Sequence, residues 1–418
     1  MILRRSKKTS SSPASKVTVE DLRKLATFRS GVRENLLQSI LANSHVIRPP
    51  AGSWEPEDEA DELYFLHRGD IQFSAEYEAM RKLRHDLPAA SYPIPTDLKW
   101  SMRVGPGTEI LAVPSRYLDL DNESHVTEEP LDLTGDELSS EIYIQFYEAV
   151  KNNTLQLPSL PDIAVRIGKA IDDPNTDSED IARLIQLDPS LAARIMGVVN
   201  SAAFGAAEPI RNLNQAVTRL GRQQVRNLVF SCIIKGLFDT NSTELKAIMQ
   251  SLWRHSASVA AISFVLARVT PGLDPNRALL AGLIHDIGAI PILLMAQDMP
   301  QVKGKPEVLV NLINRLKGEV GAMALDAWNF DPELVALALE AEHWQRRGTA
   351  LPDYLDVVLL AQLHSFVGDK PNAVLPKIDE VPAFEKLALG QLTPRHSIGV
   401  LDNAAKDIEE VERMLSIS

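Results

Sequence analysis

One cysteine in 418 residues, Cys232, is the first scarcity that bears on function. A single thiol excludes an intrachain disulfide and a cysteine-based zinc site, and it fits a reducing, cytoplasmic setting. Positive charge is also short: 43 Lys and Arg stand against 56 Asp and Glu, a formal net charge of -13. Such a surface repels phosphate backbones and anionic lipid, so neither nucleic acid nor membrane is expected as a partner. No stretch approaches 18 uninterrupted apolar residues. The most apolar run, Ala278 to Met295, is broken by His285, Asp286, two glycines and Pro291, and reads as buried core. The basic opening MILRRSKKTSSSPASK is followed by no apolar segment of the kind that completes a signal peptide. Residues 1–16 read as a solvated tail, and the protein as soluble.

What is present divides the chain. Hydrophobic residues at 45% and charged ones at 24% are ordinary for a globular protein, and the length exceeds one core, so two domains are expected. Residues 17–118 carry strand signals. Leu63-Tyr64-Phe65-Leu66 and Ile71-Gln72-Phe73 flank the turn-like His67-Arg68-Gly69-Asp70, and Glu109 to Val113 is an apolar run ended by Pro114. Glu76 to Arg84, charged and free of β-branched residues, reads as helix-friendly. Residues 119–137 hold eight acidic side chains and no Lys or Arg, which predicts a solvated linker over 119–138.

From Ser139 the helical period takes over. Thr176-Asp177-Ser178-Glu179 has the spacing of a capping box, and Asp-Pro pairs at Asp188-Pro189, Asp274-Pro275 and Asp331-Pro332 each open an apolar stripe. Leu252 to Val269 is apolar on nearly all sides and marks a central buried helix. The expected fold class is therefore multidomain α+β: a mostly β domain over 17–118, then an all-α bundle over 139–370. A helical extension at 371–418 either packs on that bundle or mediates self-association, so a homo-oligomer stays open.

Two segments carry candidate chemistry. His285-Asp286 ends an apolar helix, and both side chains need partners if buried; a divalent cation satisfies both, but so does a core histidine oriented by a carboxylate. His255 lies one helix earlier in apolar surroundings. Two histidines and an aspartate from adjacent helices make half of a metal site in a bundle; hydrolysis needs further ligands and an open position for water.

The spacing His255…His285-Asp286 resembles the start of the HD superfamily of metal-dependent phosphohydrolases. Residues from about 155 to 235 are similar, more narrowly, to HDOD domains, a subset of that superfamily. The matching text is Leu157-Pro158-Ser159-Leu160-Pro161, Asp188-Pro189-Ser190-Leu191, Val199-Asn200-Ser201-Ala202-Ala203-Phe204-Gly205, Asn214 to Gly221 with Leu220-Gly221 at its end, and Arg226-Asn227-Leu228-Val229. With the His-Asp region the resemblance spans about 140–370. Metal-binding relatives carry a histidine just before a Glu-Val-Gly-Ala-like stretch; here Glu319-Val320-Gly321-Ala322 is present and the histidine is Lys317. A further His-His pair aligns with Glu342-His343, and the superfamily's terminal aspartate with Gln362, near His364. An ammonium cannot ligate a cation and adds charge where one would sit. The resemblance thus implies no metal, no cofactor and no catalytic residue, with His255, His285 and Asp286 as vestiges. Glu342 is the one substitute that keeps a residual divalent site open.

The N-terminal strand order resembles the opening of a cyclic-nucleotide-binding β-roll, without the Gly-Glu phosphate cassette: Ser74 to Val104 contains no glycine, so no backbone nest for phosphate is expected. Arg211, Arg219, Arg222 and Arg226 around Leu220-Gly221 have the look of a helix-turn-helix but read as a solvated basic face. The resulting expectation is a non-enzymatic bacterial-type signal-transduction protein whose HDOD module binds unidentified signalling proteins, switching between two helical packings of similar energy. Its alternatives are a residual metal-dependent phosphodiesterase or phosphohydrolase, and a cyclic-nucleotide receptor.

Overall fold

The computed structural model describes residues 17–29, 32–56, 61–75, 80–96, 100–117, 144–145, 148–149, 151–152, 157–201, 208–297, 299, 305–366, 375–387, 401 and 404–416. The basic tail and the acidic linker expected at 1–16 and 119–138 lie outside the described residues.

The N-terminal domain opens with α1 (Val19–Lys24) and α2 (Glu34–Asn43) and continues as seven strands: β1 (His45–Ile47), β2 (Gly52–Trp54), β3 (Glu62–Arg68), β4 (Asp70–Ser74), β5 (Arg81–Arg84), β6 (Ser101–Val104) and β7 (Glu109–Pro114). They form two antiparallel sheets, β1-β7-β3 and β2-β6-β4-β5. β7 is apolar at consecutive positions because both its faces are covered. Ile110 and Ala112 face the second sheet, packing with Ile71, Phe73, Met102 and Val104. Leu111 and Val113, with Phe65 of β3, pack on Leu22, Leu37 and Ile40 of the helices. Strands buried on one face alternate; strands buried on both do not.

The strand–turn–strand signal around Gly69 is real, but the strands belong to different sheets. Gly69, at φ 89°, lets the chain cross between them where Thr108 leaves no room for a Cβ. The helix-friendly reading of Glu76 to Arg84 fails at its described end: Arg81–Arg84 is β5, paired in register with β4. Tertiary pairing there overrides local preference, and alternation of buried Arg81 and Leu83 with exposed Lys82 and Arg84 is the cue.

The helical domain comprises α3 (Asp162–Asp172), α4 (Ser178–Gln186), α5 (Pro189–Val199), α6 (Leu213–Leu220), α7 (Arg222–Ile234), α8 (Lys246–Val269), α9 (Pro275–Ile284), α10 (Ala289–Gln297), α11 (Pro306–Ala327), α12 (Pro332–Glu340) and α13 (Tyr354–Ser365). The three Asp-Pro pairs cap their helices: Asp188, Asp274 and Asp331 accept from the backbone N–H of Leu191, Asn276 and Leu334. Each such cap contributes about 1 kcal/mol. At α4 the cap is Asp177, accepting from Asp180, one residue later than the spacing suggested. Asn200 pins the loop after α5 by donating to Met196 and Ile210 carbonyls and accepting from Ile210 N–H. Gly221, at φ 83°, ends α6 and starts α7.

The arginines around that break do not form one solvated basic face. Arg222 donates to the carbonyls of Ala170, Ile171, Asp173 and Thr176, closing the C-terminal end of α3. Arg226 pairs with Asp172 at 2.6 Å, and Arg219 with Glu208 at 3.4 Å. Sequence reading could not see these partners because they come from other segments.

α8 lies at the centre of the bundle, with α9 and α13 packed on it. Pro275–Gln297 is the one segment among the described residues long and apolar enough to cross a bilayer, and 89% of its most apolar window is buried inside the molecule. Beyond the bundle, α14 (Pro382–Lys386) packs on α13, and α15 (Ala405–Ser416) buries Val411 and Leu415 in the helical core, with Arg268 and Asp407 paired at 2.8 Å. The described part of the C-terminal extension therefore packs on the module.

The two domains touch through side chains that reach across. Arg81 of β5 donates to the carbonyls of Gly272 and Pro352 at 2.6 and 2.9 Å, and Ala350 N–H donates to Pro93. Ala350 and Leu351 complete the β-domain core.

Gly282 of α9 sits against the backbone of Ala260 in α8, where a Cβ would fall 2.5 Å from Ala260 Cα. Backbone cannot yield as a side-chain tip can, so Gly282→Ala is expected to destabilise the chain by about 2–4 kcal/mol, seen as a lower midpoint in urea unfolding. An unchanged midpoint would mean that α8 and α9 do not pack this closely.

Candidate functional site

α8 supplies His255 and the turn after α9 supplies His285 and Asp286, so the close packing at Gly282 brings the three together. Their donor atoms lie within 4.8 Å of one another. His285 is fully buried; its Nδ1 lies 2.7 Å from the Gly282 carbonyl, which assigns the proton to Nδ1. His285 Nε2 lies 3.2 Å from His255 Nε2, one ring donating to the other. Asp286 Oδ2 stands 3.5 Å from His285 Nε2 and 3.8 Å from His255 Nε2. Phe366 stacks on the His255 ring at 5.2 Å and 20°.

The fourth side is closed by Lys317 of α11. Its Nζ lies 2.8 Å from Asp286 Oδ1 and 2.5 Å from Glu342 Oε1, beyond the end of α12. The Lys317 side chain is only 11% exposed. Three glycines permit the approach. A Cβ on Gly288 would collide with the Lys317 carbonyl and the Gly321 backbone, while Gly318 and Gly321 face Ala338 and Leu339 of α12. The turn after α9 thus rests directly on the backbone of α11.

Among the expected ligand positions, Gln362 is engaged by the backbone. It is buried and donates from Nε2 to the Ala341 carbonyl at 2.7 Å, tying α13 to the end of α12. Glu342 is drawn to Lys317, and His343 is exposed. His364 is buried on α13. Sequence reading passed over Gly288 and Phe366: the first had only a glycine after His-Asp-Ile as its signal, the second no signal.

Electrostatics follow from the geometry. Burial pushes the Asp286 carboxyl up, but His285, Lys317 and His255 outweigh it and hold it well below the usual carboxylate range. Burial pulls the Lys317 ammonium down, and Asp286 and Glu342 more than restore it, leaving it firmly protonated. His255 is pushed down to about 4, by burial first and then by His285 and Lys317 against the pull of Asp286. The His-His-Asp set suits a metal ion in spacing, but a divalent ion would compete with a covalently tethered ammonium for the same carboxylate. The arrangement is an ion pair between Lys317 and Asp286 with two imidazoles beside it, the ammonium occupying the side from which an ion would share that carboxylate.

The HDOD domain family model matches residues 157–344, a span that includes this cluster and does not reach the N-terminal domain. An uncharacterized protein of Treponema pallidum (strain Nichols) is 28% identical over 201 residues, which is 45% of this chain and 37% of that protein. The chain thus matches little more than a third of the length of that curated relative. Among solved structures, a Shewanella amazonensis SB2B protein provisionally described as a metal-dependent phosphohydrolase superposes with a TM-score of 0.58 at 25% identity, covering 67% of this chain and 100% of that one. An HDOD domain protein with unknown function from Geobacter sulfurreducens gives 0.48 at 22% identity, covering 67% and 99%.

His255 and His364 are both depressed to about 4, burial being the first cause in each. An unfolded histidine titrates near ~6.5. As pH falls from ~6.5 to ~4 the unfolded chain takes up protons that the folded chain refuses, so each imidazole removes stability across that window, by roughly 1–3 kcal/mol. Asp356, pushed up to about 6 by burial against the pull of Lys386, acts in the opposite sense there. The test is therefore differential: His364→Gln should flatten the loss of urea stability between pH 6.5 and 4.5. An identical slope in the variant would show that His364 titrates normally in the fold.

Proposed function

We propose that this protein is a non-enzymatic regulator whose HDOD domain acts as a partner-binding output module, with the former metal centre serving as a structural ion pair. The observation that carries this reading is the Lys317 ammonium seated between Asp286 and Glu342. It satisfies the carboxylate that a catalytic cation would need, and it leaves no open coordination position for a water nucleophile. The HDOD match to residues 157–344 supports the same reading at the level of family.

A regulator needs an element whose arrangement other groups can bias. The segment between α12 and α13 is suited to this. Arg346 there binds Glu340, Asp353 and Asp356, and Lys386 of α14 pairs with Asp356 at 2.5 Å with both side chains buried. Glu342 belongs to the same segment and pairs with Lys317. Contacts from the N-terminal domain at Pro352 and Ala350 end on it as well. A change in docking of the N-terminal domain is thereby felt at the old metal centre and at the surface of α13 and α14. No arginine cluster free to bind phosphate backbones is evident among the described residues near Gly221, in keeping with a protein partner rather than nucleic acid.

Two measurements test the reading. Wild-type protein offered Mn²⁺, Zn²⁺ or Fe²⁺ and then desalted should retain far less than one ion per chain by elemental analysis, and should not hydrolyse a generic phosphodiester. Stoichiometric metal together with turnover that disappears in His285→Ala would sink the proposal. Conversely, Lys317→His removes the ammonium and supplies an imidazole; this variant should gain a Mn²⁺-dependent rise in unfolding temperature that wild type lacks.

A further inference from the structure

We propose that the cleft between α1, β3 and the 85–91 turn is a receptor site for a small organic acid, a carboxylate on a compact apolar body, and that its occupancy is linked to domain docking through Arg29. This goes beyond the regulatory reading by naming an input.

The cleft encloses about 420 Å³, within the roughly 300–1,000 Å³ range of small-molecule sites. Its walls are apolar, including Phe65, Leu87 and Leu111, and its polar rim includes Lys24, Arg29 and His85. Two acids also line it, but each is already compensated. Asp21 accepts from the Thr18 backbone and hydroxyl and from Lys24; Asp86 accepts from Arg84. Arg29 differs. Among the described residues its acidic partner, Glu385, comes from the other domain, at 2.7 and 2.9 Å, and Glu385 also accepts from Tyr92 Oη at 2.8 Å. One Arg29 Nη donates to Ser91, which lines the cleft.

The anion class follows from this chemistry. A guanidinium matches a planar carboxylate, and this one already holds such a group through Nη1, which reaches both Glu385 oxygens. A phosphate ester would ask for a backbone nest, and no glycine lies between Ser74 and Val104 to form one. The Arg29–Glu385 pair is partly exposed, with side chains 42% and 29% accessible, so it is weak enough for a ligand to draw on. An incoming carboxylate shares or takes Arg29 and loosens α14, whose next residue is Lys386 on Asp356.

The test uses the full chain and phenylacetate as probe, with phenylacetamide, inorganic phosphate and cyclic AMP as comparators, followed by calorimetry or NMR. Expected are saturable phenylacetate binding at about millimolar or tighter, at least threefold tighter binding in Glu385→Ala, and at least tenfold weaker binding in Arg29→Ala. On saturation, amide-exchange protection in α14 should fall. Absence of saturable binding in Glu385→Ala, equal binding of phenylacetamide, preference for phosphate or cyclic AMP, or an affinity indifferent to Arg29→Ala would each overturn it. These outcomes are independent of metal content and turnover, so the regulatory reading stands or falls separately.

Discussion

A lysine ammonium lodged between Asp286 and Glu342 is the interaction around which the rest of the helical domain is arranged. Burying Asp286 beside two imidazoles is costly unless positive charge is near. A metal ion would bring that charge from solvent; here it is carried on the chain, and the backbone had to come close enough to deliver it. Gly288 makes that approach, holding the turn after α9 against α11 where no Cβ fits, and Gly318 and Gly321 keep α11 close to α12. The charge that contends for the metal ligand's carboxylate is also the one that compensates it in the fold.

From this ion pair a continuous set of polar contacts leads outward. Gln362 holds the Ala341 carbonyl, Arg346 gathers Glu340, Asp353 and Asp356, and Lys386 meets Asp356 with both side chains buried. Glu385, beside Lys386, faces Arg29 and Tyr92 of the first domain. Such pairs contribute little net stability, because desolvation offsets most of the attraction, but they are intolerant of mismatch. That intolerance makes the contacts sensitive to position: small changes in docking leave a buried charge uncompensated.

Much of the architecture was legible in the chain because it rests on local rules. The Asp-Pro caps, the stripe Leu191, Ile195, Val198 and Val199, the all-round apolar α8 and the two-sided apolar β7 all follow from periodicity and capping. The replacement of a ligand by Lys317 was visible as well, but only against the family pattern. What stayed hidden depends on segments far apart in sequence. β5 looked helix-friendly since its pairing with β4 outweighs its propensity. Arg222 looked solvated since the carbonyls it caps lie some fifty residues earlier. The bond from the Gln362 amide to the Ala341 carbonyl is marked by no motif.

Arg81 carries a last consequence. Its guanidinium spans the joint between α8 and α9 at Gly272 and the joint before α13 at Pro352, although its own strand belongs to a different sheet-built core. Each of these bonds has a charged donor, a kind worth about 1.5–3 kcal/mol. The seam also includes Ala350 and Leu351, helical-domain residues that complete the core of the β domain. Each architecture therefore finishes part of the other: a strand's cation ties two turns of the bundle, and residues of the bundle fill the interior of the sheets.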